Sequence, residues 1–294
     1  MVAISTCLLL AGVPAIAQEV LVVQSLKVRP YDDAVRGVKS TTTGNINKLL
    51  VSELTRDEVV KAVREARPEV ILAIGADALG KVRAIKDIPI VYMMVFNPRA
   101  IIREGNENIT GISMNIAPEY QFLTMRKVMP DLKRVGILYN PAKSGQLVEK
   151  AREAVDRTGI ELLSLEVRSP KQVPAALNSM KGKIGALWIQ PDATVVTPET
   201  IECMLLFSLG NQIPIFAFSD QYLEMGAFMS LDIDPYQLGK QAGELVNRLL
   251  AGAAIESIPD TDARRAQVTI NLRVAKKLGI QVNDNLVTNF RIVR

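Results

Sequence analysis

Short apolar runs rich in Val and Ile recur along the chain, and stretches with helical spacing of apolar positions separate them. The runs cover residues 20–24, 70–75, 88–95, 134–139, 162–167, 186–190 and 213–219. They are continuous rather than alternating, as strands covered on both faces must be. Amphipathic patterns at 56–66, 120–128, 145–158, 198–209 and 236–250 predict helices between them. Strand and helix in alternation predict an α/β fold with parallel sheets flanked by helices.

A short internal echo divides the pattern in two. Residues 69–75 (EVILAIG) lead into Ala76, Asp77 and Ala78, and residues 185–190 (GALWIQ) lead into Pro191, Asp192 and Ala193. A helix and an Ile-Pro-Ile strand follow each, at 88–90 and 213–215. The chain therefore reads as two similar Rossmann-like lobes. Strand-like segments at 108–114 and 228–234 end the two halves, and the residues beyond 250 are too few for a third domain. The economical path returns to the first lobe with the helix near 235–250 and crosses once more near 267–272, which makes a three-stranded hinge. The expected limits are 18–112 plus 234–265 for lobe 1, and 113–233 plus 266–294 for lobe 2.

The first 17 residues carry no charge, and their apolar run ends at Ala15-Ile-Ala17, a small-x-small cleavage pattern. This predicts a secretory signal peptide at 1–17, although its basic leading region is missing. Cleavage leaves residues 18–294, a protein soluble outside the cytoplasm, with Cys203 alone and expected in a core.

Composition narrows the chemistry. The 294 residues contain no histidine, which removes Ser–His–Asp and Cys–His nucleophile pairs and His-ligated metals. Two cysteines cannot build a Cys-rich metal centre. A net charge of +4 with scattered basic residues gives no stripe for nucleic acid. No metal or cofactor is expected.

Residues 75–82 (GADALGKV) have P-loop spacing but fail as one: Val82 stands where Ser or Thr would hold Mg²⁺, and Asp77 would repel phosphate. The segment reads better as a helix start facing a cleft. Ligands of open parallel sheets bind beyond the carboxyl ends of strands. The polar strand exits are Ser25, Ala76 with Asp77, Asn97, Asn140 with Ser144, Asp192 with Thr194, and Ser219 with Asp220. Asp192 or Asp220 would answer an ammonium, while helix starts and hydroxyls would answer a carboxylate. Ser25, Ser144, Thr194 and Ser219 equally suit N-caps, and Asn–Pro suits a turn. Tyr31, at the start of the first helix, is the candidate stacking wall, and Trp188 reads as core. Asp232 and Asp234 share a strand face and read as hinge or helix-cap residues.

With these residues in view, the chain resembles the substrate-binding proteins of bacterial ABC transporters, in the group with tryptophan- and tyrosine-binding members. The resemblance rests on Asp87 to Val91 (DIPIV), 108–113 (NITGIS), Met129–Pro130, 134–141 (RVGILYNP) and Gly226–Ala227. Asp234 with Leu238 and Gly239, 268–272 (VTINL) and 275–280 (AKKLGI) complete the ordered set. It implies a type I periplasmic-binding-protein fold, a monomer, capture of a small organic ligand by lobe closure, delivery to a membrane permease, and no catalysis. Members often carry Asp–Pro where Asn97–Pro98 stands, and Thr or Ser near Ala76 and Asp77; both departures fall in the implied pocket. A periplasmic sensor that presents its closed form to a receptor is the alternative, and a hydrolase the third reading.

Overall fold

Alternate residues of the first strand, β1 (Glu19–Gln24), enter two different cores: Val20 and Val22 on one face, Leu21 and Val23 on the other. The computed structural model describes residues 19–96, 98–102, 107–282 and 290–294. The signal-peptide segment and Asn97 lie outside them.

The first half continues through α1 (Arg29–Lys39), β2 (Asn45–Leu50), α2 (Arg56–Ala66), β3 (Val70–Ile74), α3 (Ala76–Val82), β4 (Ile90–Val95) and β5 (Ile109–Ile116). The second half follows with α4 (Pro118–Val128), β6 (Arg134–Tyr139), α5 (Pro141–Thr158), β7 (Glu161–Glu166), α6 (Val173–Met180) and β8 (Ala186–Trp188). It continues with α7 (Pro198–Asn211), β9 (Ile215–Ala217), α8 (Gln221–Met225) and β10 (Met229–Ile233). The closing elements are α9 (Pro235–Leu250), β11 (Thr261–Ala263), β12 (Ala266–Asn271), α10 (Leu272–Lys277) and β13 (Arg291–Val293).

The first sheet has the order β2-β1-β3-β4-β5-β11, all parallel. The second has the order β7-β6-β8-β9-β10-β12-β13, with β12 antiparallel to β10. Strands β1 to β5 and β6 to β10 are wound identically, and the echo segments β3 and β8 hold the same place in the two sheets. The fold is α/β with two parallel-sheet lobes. The chain crosses between them three times: from β5 to α4, from β10 to α9, and from β11 to β12. The last crossing lies between Ala263 and Ala266, before the expected 267–272 segment, which already belongs to the second sheet.

Helix α9 returns to the first lobe and lies on α1. A Cβ at Gly37 would stand 2.0 Å from the Tyr236 carbonyl oxygen, and one at Gly239 would stand 1.9 Å from that of Ala34. The two backbones touch because both positions lack a side chain. Val38, Leu238, Ala242 and Val246 close the core around this contact.

Two helices begin earlier than their apolar patterns, at Pro118 and Pro141, and α9 begins at Pro235 as its sequence predicts, because proline is favoured at the first helical position. Strand β2 is absent from the apolar runs because it is an edge with four of its six residues exposed. Cys203 is half-buried at the rim of the second-lobe core rather than within it. Within β4, Met94 has φ 58° and the pairing with β5 shifts between Tyr92 and Val95. This is a bulge at the strand's carboxyl end, and Phe96 just beyond it is 74% exposed.

Candidate ligand site between the lobes

The exits of β1 and β3 gather Ser25, Tyr31 and Gly75. Ser25 is buried, and its Oγ accepts the Ala78 backbone N–H at 2.8 Å, so it steadies the start of α3. A Cβ at Gly75, where φ is +91°, would stand 2.6 Å from both Ser25 Oγ and the Tyr31 hydroxyl. Burial raises the Tyr31 hydroxyl above its ordinary pKa. Ala76 and Asp77 are exposed, and Asp77 pairs with Lys81 at 2.8 Å. Lys81 also donates to the Val51 carbonyl, so it is occupied by the protein itself.

Four predicted residues of the second lobe come together in one network. The buried Asp192 carboxylate accepts from Asn140 N at 2.7 Å, Ser144 Oγ at 2.5 Å, Thr194 N at 2.9 Å and Val195 N at 3.3 Å. Asn140 Nδ2 donates to Thr194 Oγ1 at 2.9 Å, and Asn140 Oδ1 caps α5 through the Ala142 N–H. Asp192 therefore ties the end of β6 to the turn after β8, and its acceptor capacity is spent inside the protein. Asp220 is likewise held, by Arg291 at 3.0 Å and by Ser230 Oγ.

A cavity of about 220 Å³ opens where β5 and β10 leave their sheets. Its first-lobe wall is Phe96, Met114 and Asn115, and its second-lobe wall includes Gln190, Phe218, Ser219 and Asp232. Of the predicted residues among those described, only Ser219 lines it. Asp232 Oδ1 accepts the Ile233 N–H at 2.7 Å, and Oδ2 accepts the Asp220 N–H at 3.2 Å. Burial raises the Asp232 carboxyl, these hydrogen bonds pull it down, and burial prevails.

Gln121 and Gln190, 2% and 7% exposed, form the floor. Gln121 Oε1 accepts from Trp188 Nε1 at 2.9 Å and from Gln190 Nε2 at 3.1 Å, and Gln121 Nε2 donates to the Ile116 carbonyl. This network fixes both amide orientations.

A second hollow of about 180 Å³ shares Phe96 and Asn115 and adds Tyr92, Arg99, Ser113, Lys150, Asp260 and Asp262. Burial raises Asp260, and Tyr92 beside it is raised as well. A larger groove of about 660 Å³ lies at the opposite end of the second sheet, around Arg134 and Gly185, where β6 and β8 begin. That end lies away from the strand exits where ligands of such sheets bind.

Sequence reading passed over Phe96, Gln121 and Gln190 as site residues and took Asp232 as hinge. The available signal was position: Gln190 ends the second echo run, and Asp232 precedes the crossing at Asp234. Among the described residues, no group of three or more Cys, Asp or Glu side chains is placed to hold a metal. No helix among them is long and apolar enough to cross a membrane.

Two doubly wound lobes, three crossings and a cavity lined from both sides define a two-lobe binding protein of the type I periplasmic class. The chain belongs to the ABC transporter substrate binding protein family, whose model matches residues 32–292. It is similar to a tyrosine-binding protein of Clostridioides difficile (strain R20291), 27% identical over 206 residues, 67% of this chain and 59% of that protein. An uncharacterised protein of Rickettsia prowazekii (strain Madrid E) is 23% identical over 159 residues, 54% of this chain and 52% of the relative. The chain thus matches between half and two thirds of the length of these curated relatives.

Among solved structures, it is similar to a ligand-free, open substrate-binding protein with adhesive properties from Clostridium difficile. The TM-score is 0.71 at 20% identity, with 94% of this chain and 99% of the other covered. A Streptococcus pneumonia ABC domain in complex with L-Trp gives a TM-score of 0.54 at 19% identity, with 94% and 99% covered. These two likenesses carry the fold.

Proposed function

We propose that the protein is the exported solute receptor of an ABC importer, taking a small organic molecule into the cleft between its lobes and handing it to a membrane permease. The observation that supports this reading most is the cavity lined from both lobes where β5 and β10 lead into two of the three crossings. A ligand touching both walls stabilises the closed arrangement over the open one, which is the differential affinity that closure requires. The ligand is of amino-acid size, and an aromatic or amino-acid-like molecule suits the Phe96 and Phe218 walls.

Ser219 meets the ligand directly. Ser25, Tyr31, Ala76 and Asp77 form the first-lobe lip that closes on it, while Asn140, Ser144, Asp192, Thr194 and Asp220 hold the second-lobe wall in shape. The mature chain begins at Gln18, after the small-x-small site at Ala15 to Ala17.

Thermal unfolding against amino acids, aromatic acids, nucleosides and sugars tests the reading. A bound ligand at 100-fold excess over its Kd adds about 2.7 kcal/mol of stability, and small-angle scattering should show a smaller radius of gyration with it. A panel with neither effect counts against solute capture. Secretion in a bacterial host followed by amino-terminal sequencing tests export, with Gln18 as the expected first residue.

A further inference from the structure

We propose that the interlobe cavity recognises an organic cation, a primary ammonium on an aromatic or apolar body, with Asp232 as its counter-ion and the Gln190 side-chain carbonyl as a second acceptor. This inference rests on the solute-binding reading and assigns its ligand class.

Charge accounting leads to the assignment. Among the described residues, the side chains lining the cavity include one carboxylate, Asp232, and no Lys or Arg. Arg291, which reaches the same hydrogen-bond network, is committed to Asp220 at 3.0 Å. Gln267, which pairs across the strands with Asp232, donates to Asp220 and not to Asp232. Asp232 therefore has hydrogen bonds but no counter-charge among the described residues, and the Asp220 carboxylate beside it adds to the negative potential. A charge in such surroundings is costly unless it is paired.

The hydrogen-bond inventory agrees. Gln190 Nε2 is used twice, by Gln121 Oε1 at 3.1 Å and by the Ile189 carbonyl at 3.0 Å. Its carbonyl oxygen receives no hydrogen bond from any described residue, although the side chain is more than nine-tenths buried and lines the cavity. Turning the amide over would set oxygen against two acceptors, so the orientation is fixed. The floor thus presents an ionised acceptor and a neutral one, which an ammonium with three N–H donors satisfies.

The walls supply the rest. Phe96, Met114, Ile116, Phe218 and Leu231 surround these acceptors with apolar surface. An aromatic body packs there, and its cation faces the carboxylate, with aromatic ring faces rather than edges as its favourable neighbours. A free carboxylate on the ligand has no cationic partner among the described residues lining this cavity; the neighbouring hollow holds Arg99 and Lys150, and Lys150 is paired with Asp262.

Isothermal titration and thermal unfolding of the full chain with a matched series test the assignment: tyramine, L-tyrosine and 3-(4-hydroxyphenyl)propionate. Tyramine should bind, the deaminated acid should not, and Asp232→Asn should raise the Kd for tyramine at least tenfold, the loss of a charge-assisted contact. Asp232→Glu, which keeps the charge, should retain more affinity than Asp232→Asn and guards against misfolding of the neutral variant. L-tyrosine reports whether an added carboxylate is tolerated through Arg99: binding abolished by Arg99→Ala supports the geometry, and carboxylate-driven binding indifferent to Asp232 overturns it. Deaminated acid binding as tightly as tyramine, or no binding of tyramine, also overturns the cation assignment. A sugar, nucleoside or acid that binds while the amines do not leaves solute capture standing and removes only the ligand class.

Discussion

Lys150 on α5 of the second lobe places its Nζ 2.9 Å from Asp262 Oδ2 on β11 of the first. The same carboxylate accepts from Ser113 Oγ on β5 at 2.7 Å, so two crossing segments and a helix of the other lobe meet at one side chain. The pair is partly solvent-exposed, and such pairs contribute about 0–1 kcal/mol to stability. Lys150→Ala should therefore leave the midpoint of unfolding nearly unchanged. It should widen the interlobe distance distribution of the ligand-free protein, as read by spin-label distance measurements. An unchanged distribution would show that the pair does not restrain the lobes.

The contact of α1 with α9 gives a sharper stability test. Gly239→Ala drives a methyl into the Ala34 carbonyl, and overpacking of this kind costs about 1–3 kcal/mol or more. Gly80→Ala in α3 meets nothing within 4 Å and should stabilise by about 0.5–1 kcal/mol. Urea unfolding of the two variants should move in opposite directions.

Asp192→Ala should destabilise the protein whether or not ligand is present. Removing the carboxylate strands the donors of Asn140, Ser144, Thr194 and Val195, and each buried unsatisfied donor costs about 1–3 kcal/mol. Calorimetry with and without ligand separates this from lost binding: the ligand-induced increment survives in a folded variant while the baseline falls.

Asp232 predicts a pH signature. Its carboxyl is raised in the folded state by burial, so the folded protein holds this proton more tightly than the unfolded chain. The stability tied to it is complete below about pH 4, the ordinary carboxylate range, and is lost as pH rises through the higher folded value. Asp232→Asn does not titrate. The Tm difference between variant and parent should shift in the variant's favour from pH 4 to pH 7, and differential scanning fluorimetry reads it. A difference flat across that range contradicts the burial argument.

The lobes were legible because strands such as β3, with Val70 through Ile74 buried on both faces, leave uninterrupted apolar runs that no exposed segment imitates. The edge strand β2 left none, for it has only one sheet neighbour and largely exposed side chains. The site was legible in location and not in detail. Polar residues at strand exits do gather, as Asn140, Ser144, Asp192 and Thr194 show, but there they satisfy one another. Sequence gives no account of which hydrogen bonds are already spent, so it ranked Asp192 above Asp232. Gln190 and Phe96 have no distinguishing residue pattern; a bulge at Met94 and a glutamine pair between α4 and the segment just after β8 set them in the cavity, and both are tertiary facts.

The path of α9 also fixes the order in which the molecule can be completed. A chain made from its amino terminus has α1 long before it has the helix that covers Ala34 and Val38, with both helices of the Gly37 and Gly239 contact needed at once. Strands β6 to β10, by contrast, follow one another without interruption. The second lobe can assemble most of its sheet while the first still shows a bare apolar flank, so the early half is the one that a chaperone or a protease meets unfinished.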